Sequence, residues 1–145
     1  AEGLSITCVT QVSHDAARSA EIAKRLGGDQ LLYRKAETLE VENELIDLYQ
    51  RTALVISDRM HVLVYASSCG AVPVEATPNP SAKIRTHFAI AGITGNSFDS
   101  AGKSAEEIEA FLHSQLDRRE ELRAGVAGAR AVLADAEAKV KELLG

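Results

Sequence analysis

Apolar residues recur along this chain in two alternating rhythms. Short runs of β-branched and aliphatic residues suit buried strands, and stretches with apolar positions three and four apart suit helices. Leu4–Val12 reads as a first strand. Asp15 then stands where a cap would, before a helix whose Ala16, Ala20, Ile22, Ala23 and Leu26 fall at helical spacing. Gly27-Gly28 reads as its stop. Gln30–Arg34 predicts a short strand, and Leu39–Gln50 an amphipathic helix with Leu39, Leu45, Ile46 and Tyr49 as core contacts. Ala53–Ile56 is a third, fully apolar strand. Arg59–Cys69 predicts a helix apolar on most faces, hence buried, ended by Gly70. Val72–Ala76 is a fourth strand, and Ser81 is placed to cap a helix running to Ala91. Gly92–Gly102 reads as a loop.

Strands alternating with helices predict a parallel sheet with helices on both faces. From Ser104 the pattern changes. Ser104-x-x-Glu107 has the form of a capping box, and helical patterning continues to the end. Leu122, Val126, Ala129, Leu133, Ala136, Val140 and Leu143 alternate spacings of four and three, a heptad seam. Gly125 and Gly128 weaken it, at about 1 kcal/mol each relative to Ala. Two placements stay open for this helix: on its own sheet or a partner subunit, or across to a domain outside this sequence. The expected organisation is an α/β, Rossmann-like parallel sheet of about four strands over residues 1–102, with a helical extension over 103–145.

Composition narrows the function. The 145 residues are enough to bury a core. A net charge of -5 argues against a nucleic-acid binder, which carries a basic face. Cys8 and Cys69 lie in apolar surroundings without a Cys/His cluster, so two buried, reduced thiols and no metal site are expected. No signal peptide and no membrane-length apolar run is evident, which points to a cytoplasmic protein. The chain opens on Ala almost directly before a strand, which reads as a fragment. It contains no GxGxxG after the first strand, no P-loop and no G-x-S-x-G elbow.

What remains is a set of cations placed just past strand ends. In an open parallel sheet that edge binds ligands. Ser57-Asp58-Arg59-Met60-His61 carries the third strand into a helix, whose first amides and dipole attract anions. Arg59 adds a planar fork for carboxylate or phosphate, and His61 a group that moves a proton near neutral pH. Lys83 follows the fourth strand at the same predicted edge, and Glu75 ends that strand, placed to orient a cation or a ligand hydroxyl. His14, after the first strand, is a further candidate for the crevice. The structural alternatives are an Arg59 ion pair with Asp58 or another carboxylate, a satisfied buried histidine at 61, a surface lysine at 83 and an ordinary edge carboxylate at 75.

The run Val55-Ile56-Ser57-Asp58-Arg59-Met60-His61, then an apolar helix, Gly70-x-x-Pro73-Val74 and Lys83, resembles the polysaccharide pyruvyl transferase family. Its members carry an (I/V)-S-x-R-(L/M)-H stretch, an alanine-containing helix, G-x-P and a Lys in the next helix. The resemblance covers Leu4–Ile93. It implies a two-domain GT-B transferase that moves a pyruvyl group from phosphoenolpyruvate to a sugar of a cell-surface polysaccharide. This chain would be the donor-side half, inactive alone, with the N-terminal, acceptor-binding domain missing. The resemblance places Arg59, His61 and Lys83 around phosphoenolpyruvate, with no cofactor beyond the donor substrate. Ser57 and Glu75 are taken from their positions as further binding residues, and protonation of the enol carbon makes His61 the candidate general acid. The implied partners are phosphoenolpyruvate, a saccharide acceptor, and the missing domain or a second copy through the C-terminal helix. Val62 departs from the small residue common after the histidine. Two other readings stay open: a GT-B C-terminal domain binding a nucleotide sugar, and a non-catalytic Rossmann-like dimerisation module.

Overall fold

The computed structural model describes residues 3–10, 12–32 and 38–144. The chain gathers into two compact units, Ala1–Leu45 and Ile46–Gly145.

In the first unit, β1 (Thr7–Val9) and β2 (Asp29–Leu31) pair in parallel, Cys8 opposite Gln30. They are joined through a 3₁₀ turn, Ser13–Asp15, and helix α1 (Ala16–Leu26), which packs on both strands. Both strands are shorter than their apolar runs, and the expected strand positions Gln11, Tyr33 and Arg34 lie outside the described residues. Asp15 occupies the N-cap position, but its side chain makes no capping hydrogen bond. The two glycines after α1 do different things. Gly27 takes the left-handed conformation, φ 63°, that closes a helix without steric cost. Gly28 lies against the β1 entry: a Cβ there would stand 2.5 Å from the Ile6 carbonyl oxygen, which accepts the Asp29 N–H at 2.8 Å.

Helix α2 (Thr38–Arg51) buries Val41, Leu45 and Tyr49, a stripe at intervals of four. Leu39, expected in the core, is 71% exposed, because it lies two residues from Val41 and so on another face.

The second unit holds β3 (Leu54–Ile56), β4 (Val72–Thr77) and β5 (Ser97–Asp99), all parallel, in the order β3-β4-β5. The fold class is thus the α/β arrangement expected from the alternation, but as two sheets of two and three strands rather than one of about four. Strand β5 falls inside the stretch read as loop. Its Ser-Phe-Asp sequence shows no apolar run; Glu75 opposite Ser97 and Thr77 opposite Asp99 supply the pairing.

Helices α3 (Met60–Ser68) and α4 (Ala82–Ile90) follow β3 and β4. Val72 and Val74 share one face of β4 by the two-residue period of a strand. Around them gather Leu63 of α3, Ile84 and Phe88 of α4, and Ile93. Pro73 and Glu75, on the opposite face of β4, are buried as well, as expected of an inner strand. In the second half of α3, Tyr65 meets Tyr49 edge to face, ring centres 5.9 Å apart, and burial pushes the Tyr49 hydroxyl up to about 12. Cys8 and Cys69 are free thiols, half-buried rather than fully buried. Burial pushes the Cys69 thiol up, against a smaller opposite pull from Arg130.

The C-terminal helical stretch breaks once. α5 (Ala105–Asp117) begins with the expected capping box: the Ser104 hydroxyl accepts the Glu107 N–H at 3.2 Å and the Glu107 carboxylate accepts the Ser104 N–H at 2.9 Å. Arg118 ends it, and α6 runs Arg119–Leu144. The front of α6 packs on its own unit. Leu122 enters the core and Val126 lies against it. Gly125 faces Ile93 so closely that a Cβ would stand 3.0 Å from its side chain, so the helix cost of this glycine accompanies close packing. From Ala131 to Leu144 every residue is exposed. Among the described residues no helix is long and apolar enough to cross a membrane.

Candidate functional site

Three loops meet the carboxyl edge of the β3-β4-β5 sheet: Ser57–Arg59, Pro78–Ser81 and Ser100–Ser104. Strand β4 extends three residues past the last β3 pair, Ile56 opposite Val74, while the Ser57 N–H still donates to the Val74 carbonyl at 3.0 Å. The β3 loop therefore turns over a longer central strand.

Ser57 fixes that turn, its hydroxyl accepting the Arg59 N–H at 3.0 Å. Arg59 then holds an extended backbone as the N-cap of α3, and its side chain makes no capping hydrogen bond to the helix's first amides. This end therefore keeps its partial positive charge for a ligand or water. Arg59 and His61 are both exposed, so His61 is not the buried histidine of the structural alternative. On the neighbouring strand, Ser81 caps α4 by accepting the Lys83 N–H at 3.2 Å, and the Lys83 side chain is exposed in α4's first turn. Ser57, Arg59, His61 and Lys83 thus stand along one sheet edge, after adjacent strands.

Glu75 lies beneath this edge, 1% exposed. One carboxyl oxygen accepts the Ser81 N–H at 2.7 Å, and the other accepts the Ser97 hydroxyl. Both oxygens are thus engaged by the protein, at the start of α4 and the start of β5. His14 belongs to the first unit, exposed, with its Nε2 3.5 Å from the Asp15 carboxylate.

Two edge residues escaped the sequence reading. Asn79 is the one non-glycine residue with positive φ, 58°, among the described residues. Asn tolerates that conformation better than other side chains, and the Pro-Asn-Pro run is the signal that marks it. Its N–H donates to Asp99 at 3.2 Å, and the same oxygen accepts the Ala101 N–H at 3.0 Å. The bonds from Ala101 and then Asn79 hold the Asp99 carboxyl below its ordinary value of 3.8. With the folded value depressed, the stabilisation it gives the two loops is complete above the unfolded value and is lost as pH falls through the folded one. The Asn79 and Ala101 amide resonances are therefore expected to shift together on acidification, with a midpoint below 3.8, and the transition is expected to vanish in Asp99→Asn. Independent midpoints for the two amides would break the link.

No group of three or more His, Cys, Asp or Glu side chains among the described residues is placed to hold a metal ion. The edge offers cations, helix amides and hydroxyls instead, a set suited to a small anion. Comparison with family models, with curated proteins and with solved structures gives no match.

Proposed function

We propose that this chain is the donor-binding half of a pyruvyl transferase, taking phosphoenolpyruvate and passing its pyruvyl group to a saccharide hydroxyl. The observation that carries the reading is the uncapped start of α3, flanked by Arg59 and His61, beside Lys83 in the first turn of α4. The reading otherwise rests on the Ser57–His61 motif and its downstream Gly70, Pro73 and Lys83.

The chemistry is coherent with that placement. Phosphoenolpyruvate bears a phosphate and a carboxylate, which call for at least two cationic or amide-lined positions. Arg59 binds one of them as a fork, Lys83 supplies a point charge, and the α3 amides complete the set. His61 is assigned the proton transfer to the methylene carbon of phosphoenolpyruvate. One sugar hydroxyl then bonds to C2, and a second hydroxyl of the same sugar displaces inorganic phosphate to close the ketal. The two hydroxyl protons restore His61 and leave with the phosphate. His61→Ala is expected to keep phosphoenolpyruvate binding while abolishing turnover once the acceptor half is present; unimpaired turnover removes the assignment. Glu75 acts here through position, holding the start of α4 and thereby Lys83. The competing nucleotide-sugar reading needs a carboxylate for the ribose hydroxyls, and both Glu75 oxygens are already engaged.

Calorimetric titration of the chain with phosphoenolpyruvate tests the reading, with a uridine diphosphate sugar as comparator. Saturable binding of phosphoenolpyruvate alone is expected, weakened at least about tenfold in Arg59→Ala, the equivalent of about 1.4 kcal/mol. Binding of the nucleotide sugar instead would make the chain an ordinary glycosyl-transfer domain. Heat from neither ligand would leave the reading without its central support.

A further inference from the structure

The loop Pro78–Ser81 leads into the helix that carries Lys83, and it has only two N–H groups, because Pro78 and Pro80 have none. Both are given to carboxylates. The Ser81 N–H donates to Glu75 of β4 at 2.7 Å, and the Asn79 N–H donates to Asp99 of β5 at 3.2 Å. The same Asp99 oxygen accepts the Ala101 N–H at 3.0 Å, so its own loop fixes this carboxylate in turn. Asn79 stands at φ 58°, a conformation that a non-glycine residue keeps only where its surroundings hold it there. Once that hold is released, rotation at Asn79 re-aims Pro80, Ser81 and Lys83, whose N–H donates to the Ser81 hydroxyl at 3.2 Å. Only the bond to Glu75 then resists. We propose that Asp99 is a positioning residue of the anion site, a carboxylate that touches no ligand and sets, through Asn79, where Lys83 stands. This rests on the reading of the edge as a phosphoenolpyruvate site and adds to it a residue from the third strand of the sheet.

The sign of the effect separates position from charge. Asp99 is exposed, and the two amides that it accepts favour its ionised form. It is thus a negative charge on an edge assigned to an anion. Acting through charge alone, it repels the ligand, and its removal tightens binding. Acting through position, it helps the ligand, and its removal weakens binding. Asp99→Asn divides the two roles, because the carboxamide oxygen still accepts both N–H groups while the charge is gone. Asp99→Ala removes the charge and the acceptor together.

Two measurements on the full chain test the proposal. Without ligand, amide resonances of Asp99→Ala are compared with those of the unaltered chain. Ser81 and Lys83 are expected to shift along with Asn79, while Arg59, after the other strand, stays in place. Unmoved Ser81 and Lys83 resonances overturn the proposal whatever the ligand does. Calorimetry with phosphoenolpyruvate is then expected to show binding about threefold to tenfold weaker in Asp99→Ala, and within about twofold of the unaltered chain in Asp99→Asn. In a Lys83→Ala background, Asp99→Ala should add no more than about a twofold loss, because both changes act through one side chain. Tighter binding in Asp99→Ala, an equal loss in Asp99→Asn, or full additivity with Lys83→Ala overturns it. If the unaltered chain takes no phosphoenolpyruvate, the functional reading fails by itself, and the ligand-free resonances still decide whether Asp99 places Lys83.

Discussion

Glu75→Ala is expected to destabilise the second unit by up to about 2–6 kcal/mol, because it leaves two part-buried donors unpaired, a loss of about 1–3 kcal/mol each when burial is complete. The donors are the Ser81 N–H and the Ser97 hydroxyl. Glu75 lies inside β4, two residues before its end rather than at it as expected, and the two bonds join that strand to the start of α4 and the start of β5, so three elements loosen at once. Glu75→Gln separates this role from direct ligand binding. Its carboxamide oxygen accepts the Ser81 N–H, and its NH₂ donates to the Ser97 oxygen, so most of the stability should return. If Glu75 acts only through position, Gln at 75 also restores phosphoenolpyruvate binding. A stable Gln variant with binding lost would mean that the carboxylate touches the ligand. Urea unfolding measures the first effect, and a loss under about 1 kcal/mol for Glu75→Ala would remove the network from the account.

Leu63→Ala should cost about 2–5 kcal/mol. Leu63 is fully buried on α3, among Val72, Val74, Ile84, Phe88, Ile93 and Leu122, residues drawn from β4, α4 and α6 as well as the turn after α4. No single neighbour can move into the space without dragging its own element. The expected fall in melting temperature is at least about 8 °C, since each kcal/mol shifts a unit of this size by about 4–8 °C. Leu133→Ala, on the exposed rear of α6, provides the contrast: there the change should stay within about 0.5 kcal/mol. Equal effects at the two positions would mean that the core is not where the buried residues place it.

The elements that could be read from the chain were those whose own residues carry the pattern. α3 is apolar nearly all round, so its burial was plain from Val62 to Ala66. The capping box at Ser104 is a local arrangement of four residues and needs nothing distant. Strand β5 is the opposite case. Ser97, Phe98 and Asp99 are a strand because β4 stands beside them, and Phe98 is held from outside by Phe111, stacked at 4.5 Å. Missing β5 meant missing Asp99 and its hold on Asn79. At the site, the cations were legible because Arg59, His61 and Lys83 follow recognisable strand ends. The engagement of Glu75 was not, since Ser97 lies 22 residues away and its partnership exists only once the strands are in register. The break at Arg118 escaped for a similar reason: helical patterning persists through it.

Helix α3 is clamped at the end away from the candidate site. Arg123 donates to the Gly70 carbonyl at 3.0 Å and Arg130 to the Ser68 carbonyl, both reaching from α6 to the last turn of α3 and just beyond. These cations suit the negative end of that helix. A nine-residue helix is about 13 Å long, so a tilt of about 10° about the clamped end swings the opposite amides by about 2 Å. Misplacement of about 1 Å at a reacting centre can cost about a hundredfold in rate. The two arginines therefore act as the mount of a lever: from the opposite end of α3 they set the aim of the amides beside Arg59 and His61.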